Sequence, residues 1–159
     1  MLNDFVNDYK CDLKKPWLVL GRGPTFSKIH EVDLTQYNIL SIGRVVRQLK
    51  VNIAHIIDAY ILADFANHLE QNAETIVVPY FPHVKIGWSE GMQTDMFGPN
   101  YKKNIIVFVK ENEVLQKFFK GGKLYGYNLS TSTVKLIPTS PRVFSGTFTS
   151  VSSLHLLAL

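Results

Sequence analysis

Apolar residues along this chain fall into short dense runs, and the segments between them carry apolar positions at helical spacing. Trp17-Leu18-Val19-Leu20 is the first run, followed by Asn38–Ile42, Asn52–Ile57 and Thr75–Val78 within Glu74–Pro79. Runs that are apolar at nearly every position suit strands buried on both faces of a parallel sheet. Pro24, whose missing N–H costs nothing in a first turn, opens a helix predicted over 25–31. A second helix is predicted over 43–49, with Val45, Val46 and Leu49 on one face. A third is predicted over 59–70, where Ile61, Leu62, Phe65, Ala66 and Leu69 recur at helical spacing. Strands alternating with helices through short connections define a parallel α/β sheet.

The second half is less regular. Residues 80–104 are rich in aromatics, Gly and Pro, with Phe81, Trp88, Phe97 and Tyr101 among them. A long irregular stretch inside a compact domain commonly serves as a lid or binding loop. Ile105–Val109 reads as a fifth strand, Glu113–Lys120 as a helix stopped by Gly121-Gly122, and 123–137 as strand-like alternation. Phe148, Val151, Leu154 and Leu157/Leu158 form an apolar stripe that predicts a helix over 147–159, with no Gly, Asn or cation to close it. Such a helix normally feeds another strand. The expectation is therefore one α/β domain over 1–159: Rossmann-like, a mostly parallel sheet with helices on both faces, its C-terminal element missing.

Composition narrows the classes. A length of 159 residues fits one domain, and 46% hydrophobic with 19% charged residues fits a globular chain rather than a disordered one. The net charge of +4 is scattered without an arginine-rich arm, which argues against a nucleic-acid groove and suits a small anionic ligand. No run approaches the ~20 apolar residues of a membrane span. The single cysteine, Cys11, excludes an internal disulfide and points to a reducing compartment. With an acidic, polar N-terminus unlike a signal peptide, the expected location is cytoplasmic. No Cys/His cluster has zinc spacing, so no metal site is expected.

The chemistry concentrates where the first strand meets the first helix: Gly21, Arg22, Gly23, Pro24 and Thr25. Two glycines allow a tight turn and a close approach of backbone to phosphate, and a helix N-terminus behind them favours an anion. The alternative is that the glycines only shape a strand-helix turn. A classical dinucleotide site would have a third glycine where Phe26 stands, and an acid after the second strand, where Gly43 and Arg44 stand. The ATPase phosphate loop, with its Gly-Lys-Ser/Thr, does not occur.

Gly21-Arg22-Gly23-Pro24-Thr25-Phe26 resembles the Gly-x-Gly-Pro-Ser-Leu loop of bacterial CMP-sialic-acid-dependent sialyltransferases, and a related loop of hydroxymethylpterin diphosphokinase-like proteins. The later Ser145-Gly146-Thr147, opening an apolar helix, is similar to the Ser-Gly pair of those sialyltransferases. The resemblance implies that Gly21, Gly23, Pro24 and Thr25 line one side of a CMP-type sugar nucleotide and Ser145, Gly146 and Thr147 the other. It implies transfer of the sugar to a glycan or small-molecule acceptor. The chain departs from that pattern at Arg22 and Gly43-Arg44, where those enzymes have Asn; Arg22 and Arg44 could clamp phosphate or carboxylate instead. The family's general-base histidine lies beyond the Ser-Gly helix, so no residue here receives that role.

Two other readings stand beside it. One is Mg²⁺-dependent diphosphoryl transfer from ATP to a pterin-like alcohol, with Asp58 as a metal contact. The other is a non-enzymatic assembly module that forms a homo-oligomer through the 147–159 helix. Asp58 fits either a ligand contact or a helix cap. His83, in the aromatic stretch, fits a general base or a plain surface histidine, and His55, in an apolar run, fits a hydrogen-bonded core residue. Arg44 and Arg47 share a helix face by spacing, which serves either an anion or solubility.

Overall fold

The computed structural model describes residues 2–10, 14–58, 62, 64–80, 105–129, 141–143 and 157–158. Its strands are β1 (Asn3–Asp4), β2 (Trp17–Leu20), β3 (Asn38–Ile42), β4 (Val51–His55), β5 (Ala73–Pro79), β6 (Leu124–Leu129) and β7 (Arg142–Val143). Six of them form one all-parallel sheet in the order β1-β6-β5-β4-β3-β2, and β7 pairs in parallel with the end of β6. Leu20, Ser41, Ala54, Ile76 and Leu124 lie level across five strands. This is a Rossmann-like α/β fold.

From β2 to β6 every strand lies beside its successor, and the elements joining them cover one face of the sheet. These are the 3-10 helices η1 (Pro24–Glu31), η2 (Leu34–Gln36) and η3 (Gly43–Arg47), then α2 (Ala66–Asn72), α3 (Ile105–Glu111) and α4 (Glu113–Lys120). Their apolar side chains, Val45, Val46, Phe65, Leu69, Ile105, Val109, Leu115 and Phe118 among them, pack on Ile39, Ala54, Ile76, Val78 and Leu124. The other face buries Leu40, Ile53, Val77 and Tyr127 under Phe5 of α1 (Phe5–Asp8), Val143, Tyr9 and Leu157. Among the described strands β1 to β6 the order across the sheet reverses after β1, and there α1 lies on the opposite face. Reversing direction and face together keeps the crossovers of one hand, as twisted strands demand.

The predicted strands over 17–20 and 38–42 match β2 and β3, and those over 52–57 and 74–79 match β4 and β5 within two residues. Residues 105–109 are not a strand. They begin α3, where Ile105 and Val109, one helical turn apart, are both buried, and the Ile105 N–H donates to the Tyr80 carbonyl at 2.8 Å. The β-branched run fits either period, and the direct pairing of β5 with β6 leaves no place for a strand between them. The helices predicted over 25–31 and 43–49 form as 3-10 helices. Within the predicted helix over 59–70, Leu62 and Asp64 are helical, and after a turn at Phe65 α2 continues to Asn72. The aromatic stretch after Tyr80 and nearly all of the 147–159 helix lie outside the described residues; Leu157 and Ala158 within it are helical.

Asn112 separates α3 from α4 and caps the latter, its Oδ1 accepting the Leu115 N–H at 3.1 Å. Asn112→Ala is expected to cost about 1 kcal/mol of stability, measured by urea unfolding.

Candidate functional site

In a parallel sheet every strand delivers its following loop to the same edge. Gly21 to Thr25 follow β2, Gly43 and Arg44 follow β3, and Asp58 lies three residues beyond β4. The candidate residues within the described chain therefore share the carboxyl edge, where ligands of open α/β sheets bind. Gly21, Arg22, Gly23, Pro24, Thr25 and Arg44 are all exposed, and Asp58 is half-buried and already engaged by a polar partner. Ser145, Gly146, Thr147 and His83 lie outside the described residues.

The glycine loop differs from a tight turn. Gly23 is the N-cap of η1 in extended backbone, φ −85° and ψ 176°, and neither it nor Gly21 has positive φ. A Cβ on Gly21 would reach Ile42 Cδ1 only at an ordinary 3.9 Å, and a Cβ on Gly23 would meet nothing within 4 Å. Backbone conformation thus requires glycine at neither position. What Gly23 provides is open space at the start of an eight-residue helix whose first turn has no side-chain cap. Beside it, a cleft of about 420 Å³ runs along β2 and η1, lined by Leu18, Leu20, Gly21, Thr25, Lys28 and Ile29.

Conformational need does fall on Gly43, with φ 54°, in the left-handed region that favours glycine. This turn starts η3. A 3-10 helix has about three residues per turn, so side chains at i and i+3 eclipse. Arg44 and Arg47 accordingly converge on one ring, with guanidinium carbons 5.9 Å and 5.2 Å from the Phe65 centroid. Phe65 is buried just before α2, and His68 meets its edge at 6.4 Å between centroids. The spacing of the arginines was visible in the sequence; their platform, from the next crossover, was not.

Three buried polar arrangements lie at or near the strand ends. Ser41 Oγ, level with Leu20, has no hydrogen-bond partner among the described residues. Tyr80, fully buried, donates its hydroxyl to Asp4 Oδ2 at 3.0 Å, while Asp4 Oδ1 accepts the Asn7 N–H. Burial, then the Asp4 carboxylate, pushes the Tyr80 phenol well above its ordinary range. On the opposite face, His55 Nε2 and the Tyr127 hydroxyl share a 2.7 Å hydrogen bond, both residues fully buried. Burial holds the His55 imidazole down at about 3 and drives the Tyr127 phenol up. His55 is thus a neutral, hydrogen-bonded core histidine, as its place in an apolar run predicts.

Among the described residues no three His, Cys, Asp or Glu side chains gather to hold a metal, and no helix is long and apolar enough to cross a membrane. The fold and this edge define an all-parallel α/β protein with an open, basic carboxyl edge. Compared with protein-family models, with curated proteins and with solved structures, the chain matches none.

Proposed function

We propose that this chain binds a nucleotide-sugar at the carboxyl edge of β2 and β3 and acts as a glycosyltransferase-like domain on a CMP-type donor. Gly21, Gly23, Pro24 and Thr25 face the phosphate, with Arg22 and Arg44 supplying positive charge; a glycan or small molecule is the acceptor. The observation that carries the reading is Gly23: a glycine that backbone geometry does not require, with empty space where its side chain would stand, at an uncapped helix start. Positive charge and helix N–H groups at that point would stabilise a departing nucleotide phosphate. Ser145, Gly146 and Thr147 complete the pocket on this reading, and the cytoplasm is its compartment.

Gly23→Val tests it, since the empty space and extended backbone admit the side chain without strain. The variant is expected to keep its melting temperature within a few degrees. Wild type at one hundred times Kd of CMP gains about 2.7 kcal/mol, several degrees in Tm, and the variant loses that gain. A screen of CMP, CDP, UDP, ADP and ATP, each with and without Mg²⁺, assigns the class. Magnesium-dependent ATP binding would replace glycosyl transfer by diphosphoryl transfer, and a flat response from folded protein would remove both.

A further inference from the structure

We propose that Arg44 and Arg47, braced together on Phe65, form a receptor for the diphosphate group of a ligand. This site stands on η3 and the segment entering α2; it shares Arg44 with the proposed nucleotide-sugar site, while Arg47 and Phe65 belong to it alone. Two cations on one short helix repel each other, so their convergence on a single ring calls for an explanation. Neither guanidinium is ion-paired with a carboxylate among the described residues.

The geometry is suited to an anion in three ways. First, Phe65 is only 7% exposed and fixed in the core, so the platform does not move with the surface. Second, a guanidinium lying over a ring uses its face and keeps its planar edge of N–H donors, the fork that matches phosphate oxygens in pairs. Holding two such side chains in advance lowers the entropy lost when a ligand arrives. Third, Arg44 and Arg47 are both exposed, so the N–H groups of their guanidinium forks meet solvent.

Charge selects the ligand class. Two permanent cations at one ring exceed what a singly charged phosphodiester neutralises. A diphosphate carries enough charge and enough oxygens to engage both forks. A nucleoside diphosphate and inorganic pyrophosphate share this chemistry, and the nucleoside part separates them.

Calorimetric titration of the intact chain with inorganic pyrophosphate tests the site, with sulfate at matched ionic strength as the control for nonspecific charge. Arg44→Ala and Arg47→Ala are exposed substitutions that leave the core untouched, and each is expected to weaken pyrophosphate at least tenfold. Arg47→Lys keeps the charge but loses the fork, and is expected to weaken it severalfold. Phe65→Leu keeps an apolar residue in the core but removes the platform, with a similar severalfold loss. Gly23→Val is expected to leave pyrophosphate affinity unchanged even if it abolishes binding at the glycine loop. Tighter binding of CDP than of pyrophosphate, still lost with Arg47→Ala, would assign the diphosphate to a nucleotide. Pyrophosphate that does not bind, binds no better than sulfate, or binds equally to wild type and both alanine variants overturns the proposal. So does affinity lost with Gly23→Val but kept with Arg47→Ala.

Discussion

Gly126→Ala is expected to destabilise this protein by about 3 kcal/mol. Gly126 lies in the middle of β6, paired on one side with Val78 and on the other with Asp4. A Cβ there would stand 2.0 Å from Tyr80 Cε1 and 2.4 Å from Cδ1. The ring occupies the space that a side chain at Gly126 would take. It cannot swing aside cheaply, since Tyr80 is fully buried and its hydroxyl is held by Asp4. Displacing it would also strip a hydrogen bond from a carboxylate that is only 3% exposed and anchors the start of α1. A loss of this size lowers Tm by roughly 6–12 °C in a chain of this length. The cause is separable by a double-mutant cycle. Tyr80→Leu destabilises on its own but removes the obstructing ring, so Gly126→Ala added to it should cost at least 1 kcal/mol less than in wild type. Additive costs, or a Gly126→Ala variant within 0.5 kcal/mol of wild type, would show that the ring is not pinned.

The same cluster marks the boundary of what sequence reading reaches. β2, β3 and β5 announce themselves because each is a run of apolar residues closed by a glycine or proline, and α4 because Asn112 and Gly121-Gly122 bracket an amphipathic stretch. β1 is two polar residues, and only pairing with β6 makes it a strand. Tyr80 and Asp4 stand 76 residues apart, so no local pattern joins them. The 3-10 character of η1 and η3 is hidden for a different reason. An α-helix and a 3-10 helix share an apolar spacing over one or two turns and differ in which carbonyl each N–H meets. That difference matters at η3, where it is what brings Arg47 into line with Arg44. The carboxyl-edge position of Gly21 to Thr25 was legible from strand-turn-helix order alone. The local geometry was not: neither glycine has positive φ, and a Cβ on Gly23 would meet nothing within 4 Å.

Acid is expected to weaken the fold through His55. The imidazole is fully buried on β4, with its Nε2 against the Tyr127 hydroxyl, and burial holds its pKa at about 3 against an ordinary value of 6.5. Between those values the unfolded chain binds a proton that the folded chain refuses. Stability therefore rises with pH across this window; the contribution is complete above about 6.5 and is lost as pH falls toward 3. From pH 7.5 to 5 the expected loss from this one group is about 2 kcal/mol, within a range where carboxylates still contribute little. The comparison is His55→Leu with Tyr127→Phe, which replaces the pair by two apolar side chains and leaves neither polar atom behind. That double variant should hold its urea midpoint nearly constant over the same range. Tyr127→Phe alone keeps the histidine and removes its hydrogen bond to the Tyr127 hydroxyl, so it should be less stable by about 1–3 kcal/mol at pH 7.5. It should also keep the wild-type slope, because the buried ring still refuses its proton. If wild type and the double variant weaken in parallel between pH 7.5 and 5, His55 accepts a proton inside the fold. It would then be a reachable acid-base group on the second face of the sheet instead of a sealed part of its core.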